Sequence, residues 1–251
     1  MADKKYKLDV LAIAAHPDDV EITCGGLLIK MAKLGRKTGV LDLTRGEMGT
    51  FGSDQTRADE AAAAAKIMGL TYRGNLSIPD SAVEYNQENK LKIAQVIREQ
   101  APELVILPHW VQRHPDHLAC CRLGYDACFL SGLKKIKLEG EPIRPRKIIY
   151  ASYYRNSEQS FLVDITDEYE QKCEAVKAYD TQFGDPKNSL QIFHPGESVF
   201  DIMQIRGARL GQLAGVKFAE AYSIKENILI DDPQNMPVRS IYADLFLKKS
   251  C

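Results

Sequence analysis

Short apolar runs alternate with longer amphipathic stretches along the first half of the chain. Residues 8–15 and 103–108 are nearly continuous apolar runs, typical of strands that are buried on both faces of a sheet. Further segments with the length and composition of strands are 38–44, 71–76, 146–154 and 160–166. The pattern therefore predicts a sheet in which two of the strands lie deep in the core.

Helices are predicted where apolar side chains recur every three or four residues. They are 19–34, 55–69, 86–100, a segment that begins at Pro115, 167–183 and 202–215. Gly69 ends one helix and Pro115 begins another, at positions that these residue types favour. Strands that alternate with helices long enough for crossovers predict an α/β fold. We therefore expect a single domain over residues 1–251, with a mostly parallel, Rossmann-like sheet and helices on both faces.

Charge and composition argue against a nucleic-acid or membrane partner. The 251 residues have a formal net charge of −1, and their basic runs are short. No run approaches the roughly 20 apolar residues that cross a bilayer. The six cysteines show neither CxxC spacing nor the density of a disulfide scaffold. We therefore expect a reduced, cytoplasmic protein that acts on a small molecule.

Two segments lack a regular pattern. Residues 184–200 have the composition of a loop and are predicted to form a mobile substrate loop. Residues 231–251 are predicted to form an irregular C-terminal tail.

Histidine and aspartate gather after the two most apolar strands. His16-Pro17-Asp18-Asp19 follows the first, whereas His109 and then His114-Pro115-Asp116-His117 follow the second. Four of the five histidines in the chain therefore lie just beyond two strand ends. Because the carboxyl ends of parallel strands meet at one edge of a sheet, we expect these side chains to lie together. Imidazole nitrogen and carboxylate oxygen suit a zinc ion with three protein ligands.

Residue types alone leave the ligand set open. The candidate ligands are His16, Asp18, Asp19, His114, Asp116 and His117. His114 and His117 are three residues apart at the start of a helix, so both can face one way. Asp116 can accept a hydrogen bond from the second nitrogen of a ligand imidazole.

Three interpretations compete with a hydrolytic metal site. A turn rich in aspartate is the structural one. Two histidines and a carboxylate also form the facial triad of non-haem iron oxygenases. A binding protein could retain the metal without turnover. A spare carboxylate beside the ligands would favour hydrolysis, because hydrolysis needs a general base and oxygen chemistry does not.

The motifs AHPDDVE (15–21) and HPDH (114–117) resemble those of the LmbE/PIG-L family of zinc-dependent N-acetylglucosaminyl deacetylases. The bacillithiol-biosynthesis branch of that family is similar in further segments, which are DLTRGEMGTFGS, TRADEAAAAAKIMG, ACFLSGLKKI, FLVDITDEYEQKCEAVKAYDTQF and RGARLGQLAGVKFAEAY. The resemblance spans residues 7–224, which is nearly the whole chain.

This resemblance assigns roles to individual residues. It implies that His16, Asp19 and His117 bind the metal. It also implies that Asp18 is the general base and that a protonated His114 faces the substrate carbonyl.

Further residues have expected roles. The resemblance implies that Arg57 contacts sugar hydroxyls, and Asp80 is expected either to contact the sugar or to form a turn. Asp116 is expected to orient an imidazole. Glu21 and His109 are expected to be structural, and His194 has no assigned role.

The implied reaction is hydrolysis of an N-acetyl group, which releases acetate and a free glucosaminyl amine. The expected substrate is N-acetylglucosaminyl malate in low-molecular-weight thiol biosynthesis, with chitobiose as an alternative. Zinc is the expected cofactor, and ferrous iron is the alternative. Either ion would serve the reaction, because a bound divalent cation lowers the pKa of its water toward about 7. The family also implies a homo-oligomer, either a trimer or a hexamer.

Overall fold

Seven strands form one sheet in the computed structural model, which describes residues 6–152, 158–185 and 198–236. The strands are β1 (Leu8–Ala14), β2 (Thr38–Asp42), β3 (Tyr72–Asn75), β4 (Pro102–Pro108), β5 (Lys147–Ala151), β6 (Phe161–Asp164) and β7 (Ala219–Ser223). Their order is β3-β2-β1-β4-β5-β7-β6. The first five are parallel, whereas β7 is antiparallel to both of its neighbours. The predicted mostly parallel α/β sheet is confirmed.

Helices cover both faces of this sheet. They are α1 (Asp19–Lys33), α2 (Asp54–Met68), α3 (Gln87–Gln100), α4 (Pro115–Leu130), α5 (Tyr169–Lys177), α6 (Asp180–Phe183) and α7 (Val199–Ala214), followed by a 3-10 turn at Pro233–Asn235. Leu11 and Ile13 pack toward α3 and α4, whereas Val10 and Ala12 pack toward α1. This alternation along β1 is that of a strand with two buried faces. Within the described residues, no helix is long and apolar enough to cross a membrane.

Two predictions about the second half of the chain are wrong. The helix predicted over 167–183 is interrupted, because Tyr179 leaves helical geometry with φ −87° and ψ 63° and starts the short α6. β7 was not predicted, because Glu220 interrupts its apolar character. Glu220 is nevertheless buried, since Lys172 and backbone N–H groups of α1 satisfy its carboxylate.

Parts of two predicted segments cannot be compared with the structure. Most of the predicted substrate loop 184–200, including His194, lies outside the described residues. The tail is described only as far as residue 236, and the 3-10 turn is the regular element within that part.

Candidate active site

The two His-Pro-Asp motifs meet at the carboxyl edge of the sheet. β1 and β4 are adjacent parallel strands, with Ala12 in register with Ile106. β2 lies on the side of β1 opposite to β4. The strands that follow β1 in the chain therefore add first to one side of it and later to the other. Ligand sites of α/β sheets form at such a switch in strand order. The sequence therefore places both motifs where chemistry is expected.

The first motif forms a strained turn. Asp18 is the N-cap of α1 with φ 108°, and its side chain makes no capping hydrogen bond. A non-glycine residue in a sparsely populated backbone region costs about 1–3 kcal/mol, and such residues cluster at functional sites. The backbone N–H of His16 donates to Asp19 Oδ2 at 3.0 Å. The turn thus leaves the Asp18 carboxylate uncommitted to the helix end and directs that of Asp19 toward His16.

The second motif caps its helix in the ordinary way. His114 is the N-cap of α4, and its Nδ1 accepts a hydrogen bond from the Asp116 N–H at 3.2 Å. Pro115 occupies the first helical position, where it loses no hydrogen bond. His117 is therefore in the first turn of α4, where its ring reaches the first motif.

Three ligand atoms converge between the two turns. His16 Nδ1 lies 3.2 Å from His117 Nε2 and 3.3 Å from Asp19 Oδ2, and the last two atoms are 3.2 Å apart. Tetrahedral zinc ligands at about 2.0–2.1 Å from the ion are about 3.3 Å from one another. The donor set and its spacing therefore fit a zinc-sized divalent cation. Of the six candidates from the sequence, this triangle comprises the three that the family resemblance implied.

Two carboxylates hold the other side of His16. Its Nε2 lies 3.0 Å from Asp80 Oδ1 and 3.5 Å from Asp116 Oδ2. The carboxylates are themselves fixed, since Met48 N–H donates to Asp80 and Ser81 N–H donates to Asp116. When the neutral His16 ring has its proton on Nε2, Nδ1 has a lone pair that can bind a cation in the triangle, as in carboxylate–histidine–metal arrangements.

Charge complementarity shifts the pKa values of these groups. Burial lowers the pKa of His16, but hydrogen bonds to Asp116, Asp19 and Asp80 outweigh it and raise that pKa well above its usual value. Burial raises the pKa of Asp80, but the His16 contacts prevail and bring it to about 2. Burial also opposes ionisation of Asp19, whose pKa is nevertheless held well below the ordinary range by His117 and His16. The carboxylates are thus ionised around the position of a cation.

Asp18 lies beside this triangle and has a different environment. Burial raises its pKa to about 7, although Arg57 acts in the opposite direction. Arg57 Nη2 lies 3.3 Å from Asp18 Oδ2 and donates to the Pro17 carbonyl at 2.8 Å. Arg57 is only 4% exposed, yet it lines the cavity, and its Nε and Nη1 have no hydrogen-bond partner among the described residues. Its sugar contact stays a prediction.

His114 lines the cavity. Because its Nδ1 accepts from backbone, the neutral ring carries its proton on Nε2. Burial, followed by the nearby His16 and His117, lowers the pKa of His114. The protonated ring that the family resemblance implies stays a prediction. Asp116 orients His114 through its backbone N–H, whereas its carboxylate faces His16.

These groups line a cavity of about 260 Å³. The triangle, Asp18, Asp80, Arg57 and His114 line it, together with residues from the loop after β2, the loop before α4 and the short α6. The residues from these three segments are Gly46, Met48, Gly49, Arg113, Gln182 and Phe183. Sequence reasoning did not single them out, because the approach of α6 to the loop after β2 is a long-range contact without a local pattern.

The remaining expectations concern Glu21 and His109. Glu21 is fully buried beside the turn, where Arg73 and Tyr179 donate to it. His109 is 2% exposed, and its Nδ1 accepts from Val111 N–H at 3.0 Å, which is a local capping role. The sequence left the role of Asp80 open. Its position after β3, at the same edge of the sheet, was nevertheless a signal that it lies near the two motifs.

Comparison with known proteins identifies related sequences. The family model described as PIG-L, GlcNAc-PI de-N-acetylase, matches residues 11–128. The diacetylchitobiose deacetylase of Thermococcus kodakarensis is 28% identical over 233 residues, which cover 88% of this chain and 84% of that protein. The uncharacterized deacetylase YaiS of Escherichia coli is 32% identical over 125 residues, which cover 47% of this chain and 67% of YaiS.

A solved structure with a similar fold is the conserved protein TT1542 from Thermus thermophilus. It is 39% identical, and the match covers 89% of this chain and 97% of that one with a TM-score of 0.81. The match to the family model contains both His-Pro-Asp motifs and therefore the whole metal triangle.

Proposed function

Because this chain belongs to the GlcNAc-PI de-N-acetylase (PIG-L) family, we propose that it hydrolyses the N-acetyl group of an N-acetylglucosaminyl conjugate with a divalent metal. The observation that carries the proposal is the triangle of His16, Asp19 and His117 with one further carboxylate beside it. In the proposed site, three ligands leave a position for water, and the spare carboxylate of Asp18 accepts a proton from it.

Two residues have defined tasks in this reaction. Asp18 accepts a proton from the attacking water and returns it to the departing nitrogen, so the C–N bond breaks and a free amine leaves with acetate. His114 donates from Nε2 to the carbonyl oxygen as negative charge develops there. A bound divalent cation would supply a water of lowered pKa and polarise the carbonyl. We propose zinc, with ferrous iron as the alternative, because two imidazoles and one carboxylate suit either ion.

Our preferred substrate is N-acetylglucosaminyl malate. It is supported by the sequence segments that resemble the bacillithiol-biosynthesis branch and by Arg113 in the cavity wall, since a guanidinium suits a carboxylate-bearing aglycone. Diacetylchitobiose is the second candidate, because the Thermococcus kodakarensis relative is named for it.

Acetate release tests these assignments. The metal-loaded protein is incubated with N-acetylglucosaminyl malate or diacetylchitobiose, and kcat/KM is compared together with the metal content of the protein as isolated. We expect acetate from both compounds, with the higher kcat/KM for the malate conjugate. The reverse preference would replace our preferred substrate. Turnover that consumes oxygen and yields no acetate would instead support the oxygenase interpretation.

A further inference from the structure

The turn that presents Asp18 and Asp19 needs an anchor. The φ of 108° at Asp18 is one that side chains rarely adopt, and no side-chain cap secures this end of α1. Strained conformations persist only where the surrounding structure determines them.

The far part of α1 has an anchor that does not reach this turn. α1 is interrupted at Cys24, whose φ of −137° and ψ of 16° are not helical. Beyond the interruption, Glu220 on β7 accepts from the N–H groups of Gly26 and Leu27 at 2.9 and 2.8 Å, and Lys172 Nζ lies 2.7 Å from it. Because the helix is broken between the two parts, Glu220 fixes the second part and leaves the first turn to other contacts.

Glu21 is the side chain that connects the first turn to the sheet. It has no solvent exposure, and its Oε1 accepts from Arg73 Nη1 at 2.5 Å and from the Tyr179 hydroxyl at 2.9 Å. Arg73 also donates to both oxygens of Asp42 at the end of β2, at 2.9 and 3.2 Å. The first turn is thus tied to β2 and β3 through one guanidinium.

Tyr179 connects the same anchor to the side chain that holds Asp18. The guanidinium carbon of Arg57 lies 5.7 Å from the centre of the Tyr179 ring, and Arg57 contacts both Pro17 and Asp18. The turn is therefore held from its helical side by Glu21 and from its loop side by Arg57, with Tyr179 between the two.

Stability alone explains this network poorly. Buried ion pairs are often no more stabilising than apolar side chains of similar size. Oε2 of Glu21 is moreover buried with no hydrogen-bond partner among the described residues. What a buried polar network does provide is a single, rigid arrangement of the groups in it.

We propose that Glu21 is a positioning residue for the metal site. Held by Arg73 and Tyr179, it fixes the first turn of α1, so that Asp19 faces the two ligand histidines and Asp18 stays beside them. The inference rests on the metal-dependent deacetylation proposed above. Glu21 acts through Asp18 and Asp19.

Zinc affinity of the metal-free protein, measured by competition with a chelator, is the main test. Glu21→Ala should lower the affinity by about 10–100-fold, the range found for groups that orient metal ligands. Glu21→Gln retains an oxygen that can accept both hydrogen bonds and should recover most of the affinity. At saturating zinc, Glu21→Ala should also show a lowered kcat with an unchanged KM, because Asp18 shifts while the cavity walls do not.

Glu220→Ala is the matched control. Glu220 is also a buried carboxylate with one basic partner and a tyrosine hydroxyl, that of Tyr222 at 2.7 Å. It serves the other part of α1, so its variant should lower Tm and leave zinc affinity unchanged. Wild-type affinity in Glu21→Ala, or an equal loss in Glu220→Ala, would overturn the proposal.

Tyr179→Phe keeps the test decisive if Glu21→Ala does not fold. It removes one hydroxyl from Glu21 and retains the buried ring, and it should lower zinc affinity by a smaller factor. Unchanged affinity in Tyr179→Phe would then contradict the proposal. A wild-type protein that binds zinc but releases no acetate would refute the proposed function alone, because the affinity comparison does not depend on turnover.

Discussion

The two His-Pro-Asp turns have the same three residues, yet their side chains have different tasks. In the turn after β1, the histidine precedes the helix by three residues, and Asp18 rather than His16 is the N-cap. In the turn after β4, His114 is itself the N-cap, and the helix begins at the next residue. The first histidine therefore lies in the triangle with Asp19 and His117, whereas the second caps a helix through Nδ1 and also lines the cavity.

The position of the helix start is what separates the two turns. In the second turn, the shift by two residues places His117 inside the helix, and the Asp116 carboxylate lies 3.5 Å from His16. In the first turn, Asp19 is the first helical residue, and Asp18 occupies a left-handed conformation beside the triangle. Identical tripeptides thus receive different proposed roles, which are ligand and base in the first turn and donor and orienting group in the second.

Removal of the two histidines gives the largest expected contrast. His16→Ala should abolish tight zinc binding, and its activity should equal that of the chelated wild type, because one corner of the triangle is lost. His114→Ala should retain zinc and lose about 10²–10³-fold in kcat, the typical cost of one oxyanion donor. Zinc stoichiometry and kcat, measured on both variants, test the difference. Loss of zinc from His114→Ala would show that the two turns contribute ligands in the same way.

The aspartates of the two tripeptides form a second matched pair. Asp18→Asn should retain zinc and lose about 10²–10⁴-fold in kcat, since amide nitrogen cannot accept the proton that a general base takes. Asp116→Asn should lose less, because Asp80 still faces the same nitrogen of His16. Single-turnover acetate release at saturating zinc measures both losses. Ordinary turnover by Asp18→Asn would exclude it as the base.

The sequence predicts those features of the site that depend on local patterns, but not those that depend on exact helix starts or on contacts between distant segments. Apolar runs place both motifs at strand ends, so their proximity follows from the parallel sheet alone. Residue types could not choose among six candidate ligands, because the choice depends on where each helix begins to within one or two residues. The resemblance to a family supplied that choice. Among the described residues, the structure brings together His16, Asp19 and His117, and also His16, His114 and Asp116, so the ligand set stays a prediction.

Contacts between distant segments could not be predicted from the sequence. The burial of Glu220 in β7 depends on Lys172 and on an interruption in α1, neither of which has a local signature. The same holds for the buried contact between Arg57 and Asp18, which joins α2 to the turn before α1. Charged residues are expected at the surface unless they are paired, and the pairing partner lies on another element.

Substitution of Asp80 has the smallest expected effect on zinc affinity, and it tests whether this carboxylate orients His16. Its Oδ1 lies 3.0 Å from His16 Nε2, so Asp80→Asn should weaken zinc binding by about 10–100-fold, as for other groups that orient a ligand histidine. KM for the sugar at saturating zinc should stay unchanged, whereas a sugar contact would raise KM. Asp54→Asn, which removes an exposed carboxylate paired with Arg45, is the control and should alter neither quantity. A raised KM with wild-type zinc affinity in Asp80→Asn would show that Asp80 contacts the substrate and does not orient His16. Asp116 would then be the carboxylate that orients His16.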